Sequence, residues 1–420
     1  MKITNMYITG YKNLIDCNLQ PSGIHAITGC NSSGKSNLIE VVAFVSKLIS
    51  ASDELRSRIF EEGRSPTNTP WFPKVRSEKE NIDLNFELDS IVSVNNVEWE
   101  VQYCLEVEKA ILDESFYPDL SNGIKSEKIY IKKVGQPGRK RLHVNRKLDG
   151  TTKVVYEKAV RKELNFKTRR DMSALQALEV READDFFNNF PIIANFRRSL
   201  IWSSTMRLDP YALTKYPLRG KKASARGRIG PIVQRFDLYA LLKYIKEDED
   251  VWENFSFWMK KLADIDRVSP TEFKLDDGSE TGKEEIRRFV LIAQQGRFLV
   301  PDELSMGSAM ILGILSSLFT LPLWGAPILI EEPESYLHPK AISDLIILLR
   351  DFSEDNTLIF STHSPVALNS LRPEEVTLMK PVSTGFYTTK KVKDIKEAVA
   401  ALNRGFMSFG DLLQTDFETN

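Results

Sequence analysis

Eight residues near the N-terminus, Gly29-Cys30-Asn31-Ser32-Ser33-Gly34-Lys35-Ser36, follow the spacing G-x-x-x-x-G-K-[ST]. Glycines at the ends of such a run let the backbone turn tightly and approach an anion closely. The amide N–H groups then point inward, and a helix that follows offers its positive N-terminal end to the same charge. In this pattern Lys35 reaches the β- and γ-phosphates of a nucleotide, and the Ser36 hydroxyl sits on Mg²⁺.

Three later groups carry chemistry that would complete such a site. The apolar run Pro327-Ile328-Leu329-Ile330 ends abruptly in Glu331-Glu332-Pro333-Glu334. A buried strand that delivers carboxylates at its C-terminal edge can hold Mg²⁺ and position an attacking water. Glu331 takes the metal side, through a water because Mg²⁺ keeps much of its hydration shell, and Glu332 is the candidate general base. The plainer reading is a strand end followed by an acidic helix start, which is common; it leaves the coincidence with the phosphate loop unexplained. A second apolar run, Thr357-Leu358-Ile359-Phe360, ends in Ser361-Thr362-His363-Ser364-Pro365. The His363 imidazole there could hydrogen-bond a γ-phosphate oxygen or the water; alone it would read as a structural histidine. Glu303-Leu304-Ser305-Met306-Gly307-Ser308 precedes an apolar helix over 309–319. Ser305 and Gly307 form a capped helix start, and such a start is also an anion site.

The elements that must position these residues are legible in outline. Ile24-His25-Ala26-Ile27-Thr28 reads as a buried strand entering the phosphate loop, and Asn37-Leu38-Ile39-Glu40-Val41-Val42-Ala43-Phe44-Val45 has helical spacing. Strand, glycine loop and helix therefore come in the required order, the helix ending near Ser52. Residues 1–9 alternate like a strand, with a turn at 10–14. Residues 62–73 read as a turn-rich loop, and 81–156 as antiparallel hairpins of period two. Residues 157–202 read as largely helical, with the aromatic run 186–190 as core or interface. Two amphipathic helices are expected around 233–247 and 251–263, then a hairpin about Gln294-Gln295-Gly296. No internal repeat or long heptad segment occurs.

Composition narrows the class. At 420 residues, two or three lobes are expected, and 57 basic against 58 acidic residues make nucleic-acid binding a matter of a local patch. Three cysteines without metal-ligand spacing suit a reducing cytoplasm and argue against a disulfide framework. The uncharged stretch 307–330 is broken by Pro322, Gly325 and Pro327, so it reads as buried helix, turn and strand; no membrane partner is expected.

The order G-x-N-x-x-G-K-S-N (through Asn37), L-S-x-G, strand–E-E-P-E-x-x-L-H-P and S-T-H-S-P resembles ABC-type ATPases of the SMC/RecF branch. Within that branch it looks most like the OLD-type (overcoming lysogenization defect) ATPases. Tyr11-Lys12-Asn13 stands where that family carries an N-F-[RK]-[SN]-like turn, and Met407 to Leu413 extend the resemblance weakly. The resemblance implies an α/β fold: a two-lobed ABC-type ATPase head, a P-loop NTPase, with an antiparallel β lobe and a helical insertion. The lobes would span 1–160, with the phosphate loop and antiparallel sheet, and 285–420, with signature, carboxylates and histidine; 161–284 would be the insertion. It implies ATP and Mg²⁺ as cofactors, and a homodimer or higher homo-oligomer in which two heads sandwich two nucleotides. Ser305 and Gly307 would then meet the γ-phosphate held by the opposite head, while Lys35, Ser36, Glu331, Glu332 and His363 act in their own. Glu331 stands where many relatives have Asp, and His338 replaces the acidic residue of transporters and SMC proteins; no Q-loop glutamine is assigned. The long separation of Lys35 from Ser305 sets the chain apart from transporter heads, and the missing heptads set it apart from SMC arms. With little chain after His363, the nuclease domain of a full OLD protein is expected to be absent. Two functions follow. One is a cytoplasmic ATPase subunit that resembles those of Septu-type phage-defence systems and controls a separate effector, a nuclease. The other is a RecF-like repair factor acting on DNA.

The cationic loop Arg219, Lys221, Lys222, Arg226 and Arg228 bears on both, either tracking phosphates of double-stranded DNA or lying solvated. The shorter basic run Arg139 to Lys147 reads as an exposed hairpin. If the loop tracks phosphates, reversing the charges of Arg226 and Arg228 weakens duplex binding and flattens its salt dependence, read by anisotropy titrations across salt. Unchanged affinity and slope assign the loop to solvent.

Overall fold

The computed structural model describes residues 1–21, 23–50, 83–108, 123–158, 162–206, 238–276, 284–320, 325–392 and 408. In chain order, β1 (Lys2–Thr9), β2 (Cys17–Leu19) and β3 (Ile24–Thr28) lead through the phosphate loop into α1 (Lys35–Ser50). Strands β4 (Leu84–Val94), β5 (Val97–Val107), β6 (Ile124–Lys133), β7 (Arg141–Arg146), β8 (Thr151–Val155) and β9 (Glu163–Lys167) follow. Then come α2 (Ala174–Glu182), α3 (Phe186–Asn189), α4 (Pro191–Trp202) and the short β10 (Ser204–Met206). After α5 (Leu238–Ile245) and α6 (Glu249–Ala263), strands β11 (Arg267–Asp276), β12 (Glu284–Gln294) and β13 (Arg297–Leu299) precede α7 (Met306–Leu318). The remainder alternates: β14 (Ile328–Glu331), α8 (Pro339–Ser353), β15 (Leu358–Ser361), α9 (Pro365–Asn369), then the hairpin β16 (Val376–Ser383) and β17 (Phe386–Lys391).

The sheet that matters for the site runs β10-β14-β15-β3-β16-β17. Its first five strands are parallel, and β17 closes the edge antiparallel to β16. Strands buried on both faces read as continuous apolar runs, which is why Ile24–Thr28 and Leu358–Ser361 show almost no polar alternation. Their side chains still alternate between two cores. Ile27, Leu329, Ile359 and Met379 face a core shared with α1, the antiparallel strands and α4. Ala26, Ile328, Ile330, Leu358, Phe360, Val376 and Leu378 face a second core built with α5 to α8. The parallel sheet is thus the wall between two apolar interiors, and the strand ends at its edge are where the chain leaves both.

The other large sheet is antiparallel, in the order β2-β1-β4-β5-β6-β7-β8-β9, and carries the expected hairpins. The period-two pattern of β4 shows directly as alternating burial, with Leu84, Phe86 and Leu88 inward. Two expectations are corrected and one is extended. Residues 163–167 form an edge strand of this sheet rather than helix, because Leu164 and Phe166 pack on the first core while Glu163, Asn165 and Lys167 face outward. The hairpin at β12 and β13 gains a third strand, β11, paired along its whole length with β12. Arg146, read from sequence as part of an exposed hairpin, is fully buried. It stands across the strands from Glu127 and donates to Thr168 Oγ1 (3.1 Å) and to the carbonyls of Arg169 and Arg170 (both 3.0 Å). Glu127 in turn accepts from Tyr103 (3.0 Å) and Ser173 (2.7 Å), the N-cap of α2. Buried charged groups persist only when their hydrogen-bonding capacity is met inside the fold, and these partners supply it. The aromatic run is core at Phe186 and Phe190, while Phe187 is half exposed beside Arg198. The loop 62–73, the segment 207–237 with its cations, and 409–420 lie outside the described residues. Among the described residues no helix is long and apolar enough to cross a membrane.

His25 lies inside β3, fully buried, with Nε2 2.9 Å from Thr377 Oγ1. Burial lowers its pKa from 6.5 to about 4, and Lys391 adds to the effect while Glu375 opposes it. The unfolded chain therefore takes up this proton near pH 6.5, whereas the folded one refuses it until about pH 4. Stability from this group is whole above the higher value and drains away as pH falls between the two. Urea unfolding should lose about 2 kcal/mol more between pH 7.5 and 5 in the wild type than in His25→Gln; equal losses would show that His25 is not held neutral.

Candidate nucleotide site

The phosphate loop turns on positive φ angles at Gly29 (147°), Ser32 (64°) and Gly34 (92°). The two glycines are required by contact as well as conformation. A Cβ on Gly29 would lie 2.9 Å from Met379 Cβ of β16, and one on Gly34 would lie 2.6 Å from Asn13 Oδ1. Lys35 opens α1 and is almost fully buried; its Nζ donates to the carbonyls of Gly29 (3.0 Å) and Cys30 (2.8 Å). Burial lowers its pKa, with Cys30 and the carboxylate of Glu332 pulling the other way. Ser33 is fully buried, and its Oγ has no protein hydrogen-bond partner. Asn31, Ser32 and Ser36 are exposed and Asn37 is half-buried.

The turn at Tyr11-Lys12-Asn13 braces this loop, a role that its sequence did not reveal. Asn13 Nδ2 donates to the Ser32 carbonyl (3.2 Å), and Asn37 Nδ2 donates to Asn13 Oδ1 (2.8 Å). Lys12 pairs with Glu40 on α1, and the Tyr11 ring packs on Phe44. Every contact of the turn named here falls on the loop or on the helix that follows it.

The parallel ladder then brings the other candidates alongside. Strand β15 lies between β3 and β14, with Ser361 paired to Ile27 on one side and to Glu331 on the other. The next residue on each chain continues the pattern, since Thr362 N–H donates to the Ile27 carbonyl (3.0 Å) and Glu332 N–H to the Ser361 carbonyl (3.1 Å). Glu331 is half-buried at the end of β14, while Glu332 is exposed with φ at +44°. A non-glycine residue held there is strained, which is a common mark of a functional site. His363 has a lowered pKa, from partial burial first and then from the positive charge of Lys35, with Glu332 opposing. Glu332 acts on both Lys35 and His363, so the loop ammonium, the carboxylate and the imidazole share one electrostatic neighbourhood. In that setting a neutral imidazole can accept or donate a hydrogen bond.

The donor set fits a nucleotide with Mg²⁺. The inward-turning loop, the buried ammonium and the orphaned Ser33 hydroxyl suit phosphate oxygens, and the Ser36 hydroxyl with the Glu331 carboxylate are the hard oxygen donors Mg²⁺ takes. Among the described residues no group of three or more His, Cys, Asp or Glu could hold a metal ion.

Ser305 and Gly307 stand apart from this cluster. Ser305 caps α7 by accepting from Ser308 N–H (3.1 Å), and no hydrogen bond among the described residues joins either one to the phosphate loop. Gly307 is glycine for a local reason: a Cβ there would lie 2.8 Å from the Tyr336 carbonyl. The start of α7 therefore packs on the loop that follows Glu332. His338, the departure noted in sequence, caps α8.

Glu334 and Thr362 were missed by sequence reasoning. The only signal was the third carboxylate of E-E-P-E. Glu334 Oε1 accepts from Thr362 Oγ1 and from His363 N–H (3.1 Å).

Residues 202–369 match a family described as "AAA domain, putative AbiEii toxin, Type IV TA system". A segment of 83 residues is 36% identical to the OLD nuclease of Thermus scotoductus (strain ATCC 700910 / SA-01), covering 19% of this chain and only 16% of that protein. Among solved structures, the SMC head domain from Thermotoga maritima aligns over 93% of this chain and 99% of its own at 14% identity and a TM-score of 0.41. The Smc head domain with an extended coiled coil, bound to the C-terminal domain of ScpA and derived from Pyrococcus furiosus, aligns over 96% and 99% at 12% identity and 0.44. The fold itself is mixed α/β, a largely parallel six-stranded sheet beside antiparallel sheets, with the phosphate loop joining β3 to α1.

Asn13→Ala removes both side-chain bonds by which the N-terminal turn holds the phosphate loop and the first turn of α1. Nucleotide affinity is expected to fall about tenfold with little change in melting temperature, measured with a fluorescent ATP analogue and by thermal denaturation.

Proposed function

We propose that this chain is an ATP-binding and hydrolysing switch that dimerises through ATP and controls a separate effector, a nuclease, in bacterial anti-phage defence. The observation that carries the ATPase reading is the convergence of Lys35, Glu332 and His363 at the ends of β3, β14 and β15. Lys35 Nζ and the loop amides would hold the β- and γ-phosphates, with Ser36 and Glu331 on the Mg²⁺ side. When bound, Mg²⁺ supplies charge neutralisation at the phosphate oxygens. A Glu332 carboxylate oxygen takes the proton of the attacking water, and the His363 imidazole hydrogen-bonds the γ-phosphate or that water. The strained backbone at Glu332 supports this assignment, because positive φ at a non-glycine residue is a common mark of a functional site.

The dimer reading rests on the helix start at Ser305 and Gly307. It is exposed at Ser305 and capped by that side chain, a geometry that suits an anion offered by a second copy. A γ-phosphate shared between one loop and the opposite helix start would favour the paired state, and its loss on hydrolysis would release it. The similarity to a family described as a putative toxin, and to part of an OLD nuclease, supports a defence setting.

Glu332→Gln keeps the shape of the carboxylate and removes its basicity. Hydrolysis is expected to drop at least about 100-fold, with ATP trapping a dimer or larger assembly on size exclusion with light scattering. The same elution with and without ATP would reject the sandwich.

A further inference from the structure

Two parallel strands are fixed to each other only as far as their ladder runs. Between β14 and β15 the ladder stops at Glu331 and Ser361, with one more bond from Glu332 N–H to the Ser361 carbonyl (3.1 Å). His363 lies beyond that point, exposed, in the short segment between β15 and α9. One side chain takes over where the ladder ends. Glu334 Oε1 accepts from the Thr362 hydroxyl and from the backbone N–H of His363 itself (3.1 Å). Thr362 is tied in three directions: its N–H to Ile27 of β3 (3.0 Å), its hydroxyl to Glu334, and its Oγ1 also accepts from Ser364 N–H (3.0 Å), the residue that caps α9.

We propose that Glu334 is a positioning residue for ATP hydrolysis, a carboxylate strap that sets the His363 turn at a fixed distance from the Glu332 loop. The inference rests on the ATPase reading above. Its second support is the cost of the arrangement. Glu334 Oε2 is buried without a hydrogen-bond partner, and burying a carboxylate oxygen unpaired is expensive. An apolar residue would fill the same space without that cost, but it could not accept from His363 N–H. Because the strap grips the backbone of His363 and not its ring, it fixes where the imidazole starts while leaving both ring nitrogens available. It also means that a shift of the loop carrying Glu332, Glu334 and Tyr336 moves the imidazole with it. Tyr336 is the residue whose carbonyl packs against Gly307, so the strap lies on a continuous path from the start of α7 to His363.

The test compares full-length variants in steady-state ATP hydrolysis and in equilibrium binding of a fluorescent ATP analogue. Glu334→Ala should lower kcat about 100-fold while KM and nucleotide affinity stay within about threefold, since misplacement by an ångström is enough for such a loss. Glu334→Gln keeps an acceptor oxygen for both donors and should retain most of the rate. Thr362→Val, which leaves the His363 N–H bond in place, should reproduce part of the loss and Thr362→Ser should restore it. The double variant Glu334→Ala with Thr362→Val should be no slower than Glu334→Ala alone, because that substitution already removes both bonds of the strap. Wild-type kcat in Glu334→Ala, a parallel collapse of nucleotide affinity, or fully additive losses would each overturn the proposal. A wild-type protein that binds but does not hydrolyse ATP would instead remove the ATPase reading, and this one with it. Hydrolysis that survives in Glu334→Ala removes only the strap.

Discussion

Everything in the candidate site hangs from the parallel pairing of β3, β15 and β14. Adjacent strands in such a ladder lie about 5 Å apart, so three ends in register span little more than a nucleotide triphosphate tail. The phosphate loop leaves from the first end, His363 from the second and Glu331 and Glu332 from the third. None of these residues needs a long lever. Glu331 is the last residue of its strand, Glu332 the first beyond it and His363 the second beyond β15, so the stiffness of those strands becomes the precision of the site.

Two apolar interiors hold that sheet from opposite sides. The alternation of Ile328 and Ile330 against Leu329, and of Leu358 and Phe360 against Ile359, means that neither core can shift alone without dragging the strand ends. The N-terminal turn adds a second brace. Asn13 bonds the outside of the phosphate loop while Met379 and Leu14 occupy the space where side chains on Gly29 and Gly34 would go. The loop is therefore shaped by its neighbours as much as by its own glycines. Local cost accompanies this order: positive φ at Ser32, Glu332 and Tyr336, a buried Ser33 hydroxyl and an unpaired Glu334 oxygen. Such costs gathered around one strand edge are what a site under functional constraint looks like.

The helix start at Ser305 and Gly307 has a different basis. Ser305 and Gly307 begin a helix that is buried against the second core and packed on the Tyr336 carbonyl. Gly307 has a conformational neighbour inside its own chain, so its identity is explained without any ligand. The reading in which it meets a phosphate from another copy adds to that packing and does not replace it.

By itself the sequence determined the pieces. A glycine loop between an apolar run and a helix-spaced segment, two apolar runs ending in carboxylates and in histidine, and period-two hairpins are all local signals, set by backbone sterics and by which face must be buried. The tertiary structure decided what the pieces do to one another. Strand order cannot be read from spacing, because pairing β3 with β15 joins residues more than three hundred positions apart. For the same reason the burial of Arg146, the brace at Asn13 and the strap at Glu334 were invisible: each is a polar side chain of ordinary appearance whose partners come from distant segments. Burial makes those partners obligatory, since a polar atom removed from water must find its hydrogen bonds inside the fold.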